Sequence, residues 1–168
     1  MRKYIGLFCF LLLSGFSAPE LRHVQGFQGV EVTAGVTSMG PLLSIAYSRY
    51  LNRAWYWKCA LSGQHRHQDG VLYQNLSLDP ALCWSCWLPN GRCYVNLLGA
   101  VLLTYEGHSQ REQSHHNFNI ALAAGTEIEY FLNTHLAMLI ALAPHCYFLN
   151  SPYGHWGYQG VVGVKLCL

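Results

Sequence analysis

Charge is scarce in this chain. Only 11% of its 168 residues are Asp, Glu, Lys or Arg, against the roughly 25% of an ordinary soluble domain. The formal charge of +2 is small and its bases are scattered, so nothing resembles a nucleic-acid footprint and no direct contact with DNA or RNA is expected. After the first residues there is no stretch of about 20 uninterrupted apolar residues, which excludes a membrane helix. Internal repeats and linkers are missing too. There is no Ser-His-Asp ordering, no phosphate-cradling glycine loop and no nucleophile elbow, so neither an enzyme activity nor a cofactor is expected.

What the chain does contain is apolar: 52% of its residues are hydrophobic and 14% aromatic. Something other than water is therefore expected to cover part of its surface. The start, "MRKYIGLFCFLLLSGFSAPE", has Arg2 and Lys3, an apolar run from Ile5 to Leu13, and then small residues. This is the pattern of a secretory signal, with cleavage expected after Ser17. The expected organisation is a signal peptide over 1–17 and a single domain over 18–168.

The remainder divides into eight segments of alternating polarity, separated by Gly, Asn, Pro, His and Asp clusters, at about 28–37, 41–51, 53–64, 71–88, 92–105, 117–131, 135–149 and 157–168. The connections "LNR", "PNGR" and "NTH" are tight. "HRHQDG", "EGHSQREQSHH" and "NSPYGHWG" are longer and polar. The short first upper connection, "TSMGP", is the exception to this alternation. Short turns at one end and longer loops at the other, on an even number of antiparallel strands, predict a transmembrane up-and-down β-barrel. "HLAMLIALAPH" has helix-forming composition, and Pro144 suits a central strand poorly. It reads as a strand because both neighbours need a partner in lipid.

Successive side chains of a strand point to opposite faces. In "GTEIEYFLN" this places Glu127 and Glu129 on one row and Ile128 and Tyr130 on the other. Applied throughout, the alternation puts Glu31, Lys58, Asp79, Glu127, Glu129 and Lys165 on the inward face, as a mixed-sign network that can pair with itself. The assignment is favoured because a base on the lipid face near mid-membrane costs about 2–4 kcal/mol. Arg49 falls on the apolar row of its strand, near the lower end, where it can snorkel. Tyr50, Trp55, Trp57, Trp84 and Tyr130 at the lower ends and Tyr105, Phe118, Phe148 and Tyr158 at the upper ends form two expected aromatic girdles. Asn90-Gly91 suits a two-residue primed turn, with Leu88 facing Cys93 and Trp84 facing Leu97.

Six cysteines lie beyond the signal, at 59, 83, 86, 93, 146 and 167. "CWSC" at 83–86 has redox spacing, but within a strand Cys83 and Cys86 point to opposite faces, so they read as small apolar wall residues. His65 with His67 and His115 with His116 lie in expected loops without further rigid ligands, so no metal site is expected. Eight strands leave a lumen just wide enough for side chains, which argues against a solute pore.

"NIALAAGTEIEYFLNTHLAMLIAL", "CYVNLLGAVLLTYEG" and the ending "GYQGVVGVKLCL" are similar to the Gly-rich strand, Glu-x-Glu-Tyr-Leu segment and following apolar strand, the strand before the long loop and the terminal Gly-x-Gly-x-Lys strand of the conjugative transposon protein TraO family. The resemblance covers the chain from about residue 53 to its end. It implies an outer-membrane component of a mating apparatus that transfers a mobile element between Gram-negative cells, with outer-membrane lipid and other apparatus proteins as partners. It brings no catalytic residue. The cysteine richness, the compact first upper connection and the lack of a terminal aromatic depart from that family's pattern. Two alternatives stand beside it: a general outer-membrane adhesin or stability barrel binding a surface ligand through its external loops, and a soluble secreted ligand-binding barrel.

Overall fold

The computed structural model describes residues 25–68, 71–87, 91–110, 113–149 and 154–168. The expected signal segment 1–17 and the Leu88–Cys93 pairing lie outside them. Eight strands follow one another: β1 (Gln28–Thr37), β2 (Gly40–Tyr50), β3 (Trp55–Gln68), β4 (Val71–Trp87), β5 (Cys93–Gln110), β6 (Gln113–Phe131), β7 (Leu136–Tyr147) and β8 (Trp156–Cys167). Each pairs antiparallel with the next, and β8 pairs back onto β1, so the sheet is a closed up-and-down barrel without edges. The segment with helix-forming composition is strand β7, because closure supplies partners on both sides that outweigh its propensity.

The register sets the size of the tube. Gly29, Ser48, Lys58, Ala81, Ala100, Ala123, His145 and Gly157 lie in one row around the wall. Continuing the β8–β1 register from Gly157 arrives at position 39, ten residues beyond Gly29. Eight strands with a stagger of ten residues tilt by about 40° and give a backbone radius of about 8 Å. Such a lumen fills with side chains. The space left between Lys58, Asp79, Glu127 and Gln159 is about 70 Å³, too little for a solute path.

The alternation expected from the sequence is the alternation observed. Val32, Ile45, Leu61, Leu82, Leu97, Leu122, Ile128, Ile140, Val162 and Leu166 are exposed on the outside, while Glu31, Ser48, Ser62, Asn96, Asn119, Glu127, Glu129 and Lys165 are buried within. The outer face is thus a continuous apolar belt, far beyond the scattered exposed leucines of a soluble monomer. Trp84 pairs with Leu97, as the "PNGR" turn predicts, and Gly91 adopts φ +64° in that connection.

Two expectations about the upper end need correction. "HRHQDG" and "EGHSQREQSHH" are largely strand, since β3 runs to Gln68, β5 to Gln110 and β6 begins at Gln113. His67 pairs with Leu72, and His108 with His115. The ladder continues past the apolar belt with polar residues on both faces, so the hydrophobic alternation that marks a strand fades while pairing persists. β4, β5 and β6 reach 17, 18 and 19 residues against 10, 11, 12 and 12 for β1, β2, β7 and β8, and one side of the barrel stands taller.

Two prolines mark the wall. The β4–β5 ladder skips positions 79 and 80 and the β6–β7 ladder skips 143 and 144, because Pro80 and Pro144 have no N–H to give the neighbouring strand. A shallow groove of about 670 Å³ follows these breaks past Gly99 and Ala124.

Closure also depends on close approach at Gly163. A Cβ there would lie 2.8 Å from the Thr33 Cα and 2.7 Å from its Cγ2, on the neighbouring strand, where the backbone cannot give way. Gly163→Val is expected to prevent closure, whereas Gly99→Ala, which would meet nothing, leaves the barrel intact. Heat-modifiable migration on gels separates the two outcomes.

Candidate functional site: the lumenal charge cluster

The inward rows converge in the lower half of the tube. Glu31 on β1 is directly opposite Lys165 on β8, so register alone makes that pair, with 3.3 Å between Oε1 and Nζ. Lys58 on β3 reaches Glu31 Oε2 at 3.3 Å and crosses the lumen to Glu127 on β6. Lys165 crosses similarly to Glu129, with 2.9 Å between Nζ and Oε1. Five charges from β1, β3, β6 and β8 therefore tie opposite walls together. Four are buried, and Lys58 is largely so, with 13% of its side chain exposed.

Neutral donors complete the cluster. The Tyr56 hydroxyl donates to Glu127 Oε1 at 2.6 Å, and the Asn96 amide donates to the same oxygen at 3.4 Å. The Tyr50 hydroxyl lies 3.2 and 3.1 Å from the two Glu129 oxygens and accepts from Lys165 Nζ at 2.8 Å. That ammonium also sits 4.8 and 4.9 Å from the Tyr50 and Tyr56 ring centres, which are 4.8 Å from one another. Three carboxylates against two ammoniums leave one negative charge, spread over hydrogen bonds from two phenols and an amide.

Five of the six residues expected in the interior network meet here. Asp79 is inward but stands apart, held by the Ser62 hydroxyl at 3.1 Å and by the Ser77 hydroxyl. Of the girdle residues, Trp55, Trp84, Tyr105, Phe118, Phe148 and Tyr158 are exposed on the outer face, and Trp57 and Tyr130 are partly exposed there. Tyr50 is the correction: it is 1% exposed and belongs to the lumen. Its hydroxyl is more stable on Glu129 and Lys165 than at a lipid interface, and its parity agrees, because Arg49 beside it faces outward. Tyr56 is a member that the sequence reading misses, although it shares a row with Lys58, whereas strand parity already places Asn96 inside and only its bond to Glu127 is unforeseen. The sequence reading also misses Glu106, which lies one residue beyond the expected end of its strand and is buried in the upper lumen.

Among the described residues the six cysteines form no disulfide with one another, and Cys86 is opposite Val95 in the ladder rather than Cys93. Among the described residues no group of three His, Cys, Asp or Glu side chains could hold a metal. Every carboxylate of the cluster is engaged by a lysine. The arrangement is chemically suited to holding the tube together.

A closed eight-stranded barrel with an apolar exterior and an ionic, filled interior is the class these observations define. No protein-family model matches the chain and no curated protein matches it by sequence. Solved structures match by fold. Neisserial surface protein A has a TM-score of 0.69 at 9% identity, covering 83% of this chain and 95% of that one. A major outer membrane protein of Thermus thermophilus also reaches 0.69, at 13% identity, covering 85% and 99%. Ail, the attachment invasion locus protein of Yersinia pestis, reaches 0.61 at 9% identity, covering 86% and 100%. The outer membrane enzyme PagL matches too, at a TM-score of 0.53 and 12% identity, so the architecture alone excludes no activity.

Removing one partner of a buried pair leaves an uncompensated charge and is expected to cost about 3–5 kcal/mol, whereas removing both costs much less. Lys165→Met should therefore destabilise the barrel strongly, and Glu129→Gln in the same chain should restore part of the loss. Urea titration in detergent micelles of both single variants and the double variant measures this coupling.

Proposed function

We propose that the protein is an outer-membrane β-barrel of a Gram-negative bacterium that serves as a structural or assembly component of a conjugative transfer apparatus, without enzymatic activity. The observation that carries the membrane reading is the apolar belt. Ile45, Leu61, Leu97, Leu122, Ile140 and Val162 form one exposed band around a wall whose described carboxylates are turned inward. Water would expose this surface at a large hydrophobic cost, while lipid covers it at none. A wall with all its strands paired meets the bilayer's demand that backbone groups be satisfied internally, apart from the two proline sites. The filled lumen argues against the soluble ligand-binding alternative, which needs an open cavity, and against a pore for DNA.

The conjugation role rests on the resemblance of the "GTEIEY" strand, the β5 strand and the terminal strand to the TraO family. A barrel whose described lumen is filled by side chains is suited to a scaffold role, presenting its lower turns to the periplasm and its raised β3–β4 and β5–β6 hairpins to the outside. A second reading, as an adhesin or stability barrel, is favoured by those hairpins, which expose His65, Arg66, His67 and His116 above the belt.

Deletion of the coding region separates the two. The transfer-apparatus reading predicts loss of element transfer to recipients, restored by the intact gene, with the protein recovered in the outer-membrane fraction. Normal transfer combined with a defect in surface attachment would select the second reading. Recovery in the soluble periplasm without detergent would overturn both.

A further inference from the structure

We propose that the lower rim of the barrel binds anionic phospholipid headgroups, with Arg49 and Arg53 as phosphate ligands. This rests on the membrane-barrel reading above. The observation behind it is a segregation of charge. Among the described residues every side-chain carboxylate, namely Glu31, Asp79, Glu106, Glu127 and Glu129, is buried inside the tube. Arg49, Arg53 and Arg66 are exposed. The described outer surface therefore has fixed positive charge and no acidic side chain to neutralise it.

At the lower end this charge is placed on the turns. Arg49 is the last outward residue of β2, Arg53 lies in the β2–β3 turn, Arg92 in the β4–β5 turn, and His135 in the β6–β7 turn. Arg49 is paired across the ladder with Gln28 and Trp57. Beside it the Tyr47 ring is 5.4 Å from that of Trp57, and the Tyr47 hydroxyl donates to Gln28 Oε1 at 2.8 Å. Trp55 and Trp84, both 41% exposed, extend the aromatic surface. Such rings settle at the level where acyl chains meet headgroups, which fixes the depth of Arg49 at the phosphates.

A guanidinium at that depth is further stabilised by an anion. No described acidic side chain supplies one, and the anions the bilayer offers there are lipid phosphates, which match the planar fork of arginine. A zwitterionic lipid carries its own ammonium beside the phosphate. A phosphatidylglycerol-type headgroup does not, so it gains the full attraction of the two arginines. The upper end differs in sequence, since Asp69 falls between β3 and β4 and Glu112 between β5 and β6.

The test uses the full chain folded into phosphatidylcholine bilayers with a minor fraction of brominated phosphatidylglycerol or brominated phosphatidylcholine. Bromine quenches Trp55, Trp57 and Trp84 beside the site. The expected result is a binding preference for phosphatidylglycerol of roughly five-fold for each arginine engaged, falling to near parity in the Arg49→Gln/Arg53→Gln variant and retained in Arg49→Lys/Arg53→Lys. High salt should abolish the wild-type preference. Equal quenching by the two lipids in the wild type, or a preference unchanged by salt, overturns the proposal, and this arm decides the matter if the glutamine variant fails to fold. Absence of quenching by brominated phosphatidylcholine would overturn the membrane reading itself, and is distinguishable from equal quenching.

Discussion

Everything in this structure hangs on where the charges go. An eight-stranded wall turns half of its side chains outward, and an apolar belt is possible only if the ionic groups at its level fall on the other row. The cluster of Glu31, Lys58, Glu127, Glu129 and Lys165 solves this by pairing across the tube. The low dielectric that makes an unpaired charge costly inside also strengthens each pair, so the cluster is all or nothing. Its bonds connect β1 to β8 and β3 to β6, fixing the register of strands far apart in the chain. A slip of one residue in any of these strands would move its ionic groups to the outside, so the cluster also selects a single pairing.

The same constraint shapes what the molecule can do. With a stagger of ten residues the tube is too narrow for both a packed ionic core and a channel, and the core takes the space. Chemistry is left to the surfaces: a basic, aromatic lower rim and two polar hairpins that continue beyond the belt. Pro80 and Pro144 interrupt the ladder on the two sides of the β5–β6 hairpin, next to the small residues Gly99 and Ala124, and these are the places where the wall is held by packing rather than by hydrogen bonds.

Much of this is legible in the sequence because strand parity is a rigid rule. Glu127 and Glu129 two apart, between Ile128 and Tyr130, suffice to orient β6, and one oriented strand in a closed wall orients the rest. The sequence misleads where residue type is weighed above parity, or where the alternation itself ends. Tyr50 reads as interfacial because tyrosine suits an interface, although Arg49 next to it already faces outward. Tyr56 shares a row with Lys58 and goes unnoticed because a lumenal phenol leaves no mark in a hydrophobicity pattern. The upper hairpins carry polar residues on both faces, so pairing there has no sequence signature, and Glu106 is lost with them. The long-range pairs, Lys58 with Glu127 and Lys165 with Glu129, need the closed tube and cannot be assigned from spacing.

The central claim is that one row of each strand meets acyl chains and the next row does not. Methyl-labelled protein in lipid nanodiscs tests it directly through magnetisation transfer from the acyl chains. The account predicts transfer to the methyls of Leu122, Ala124, Ile128, Val162 and Val164 and none to those of Ala121, Ala123 and Ala141, which face the lumen. Transfer to both sets alike, or to the second set in place of the first, would contradict it.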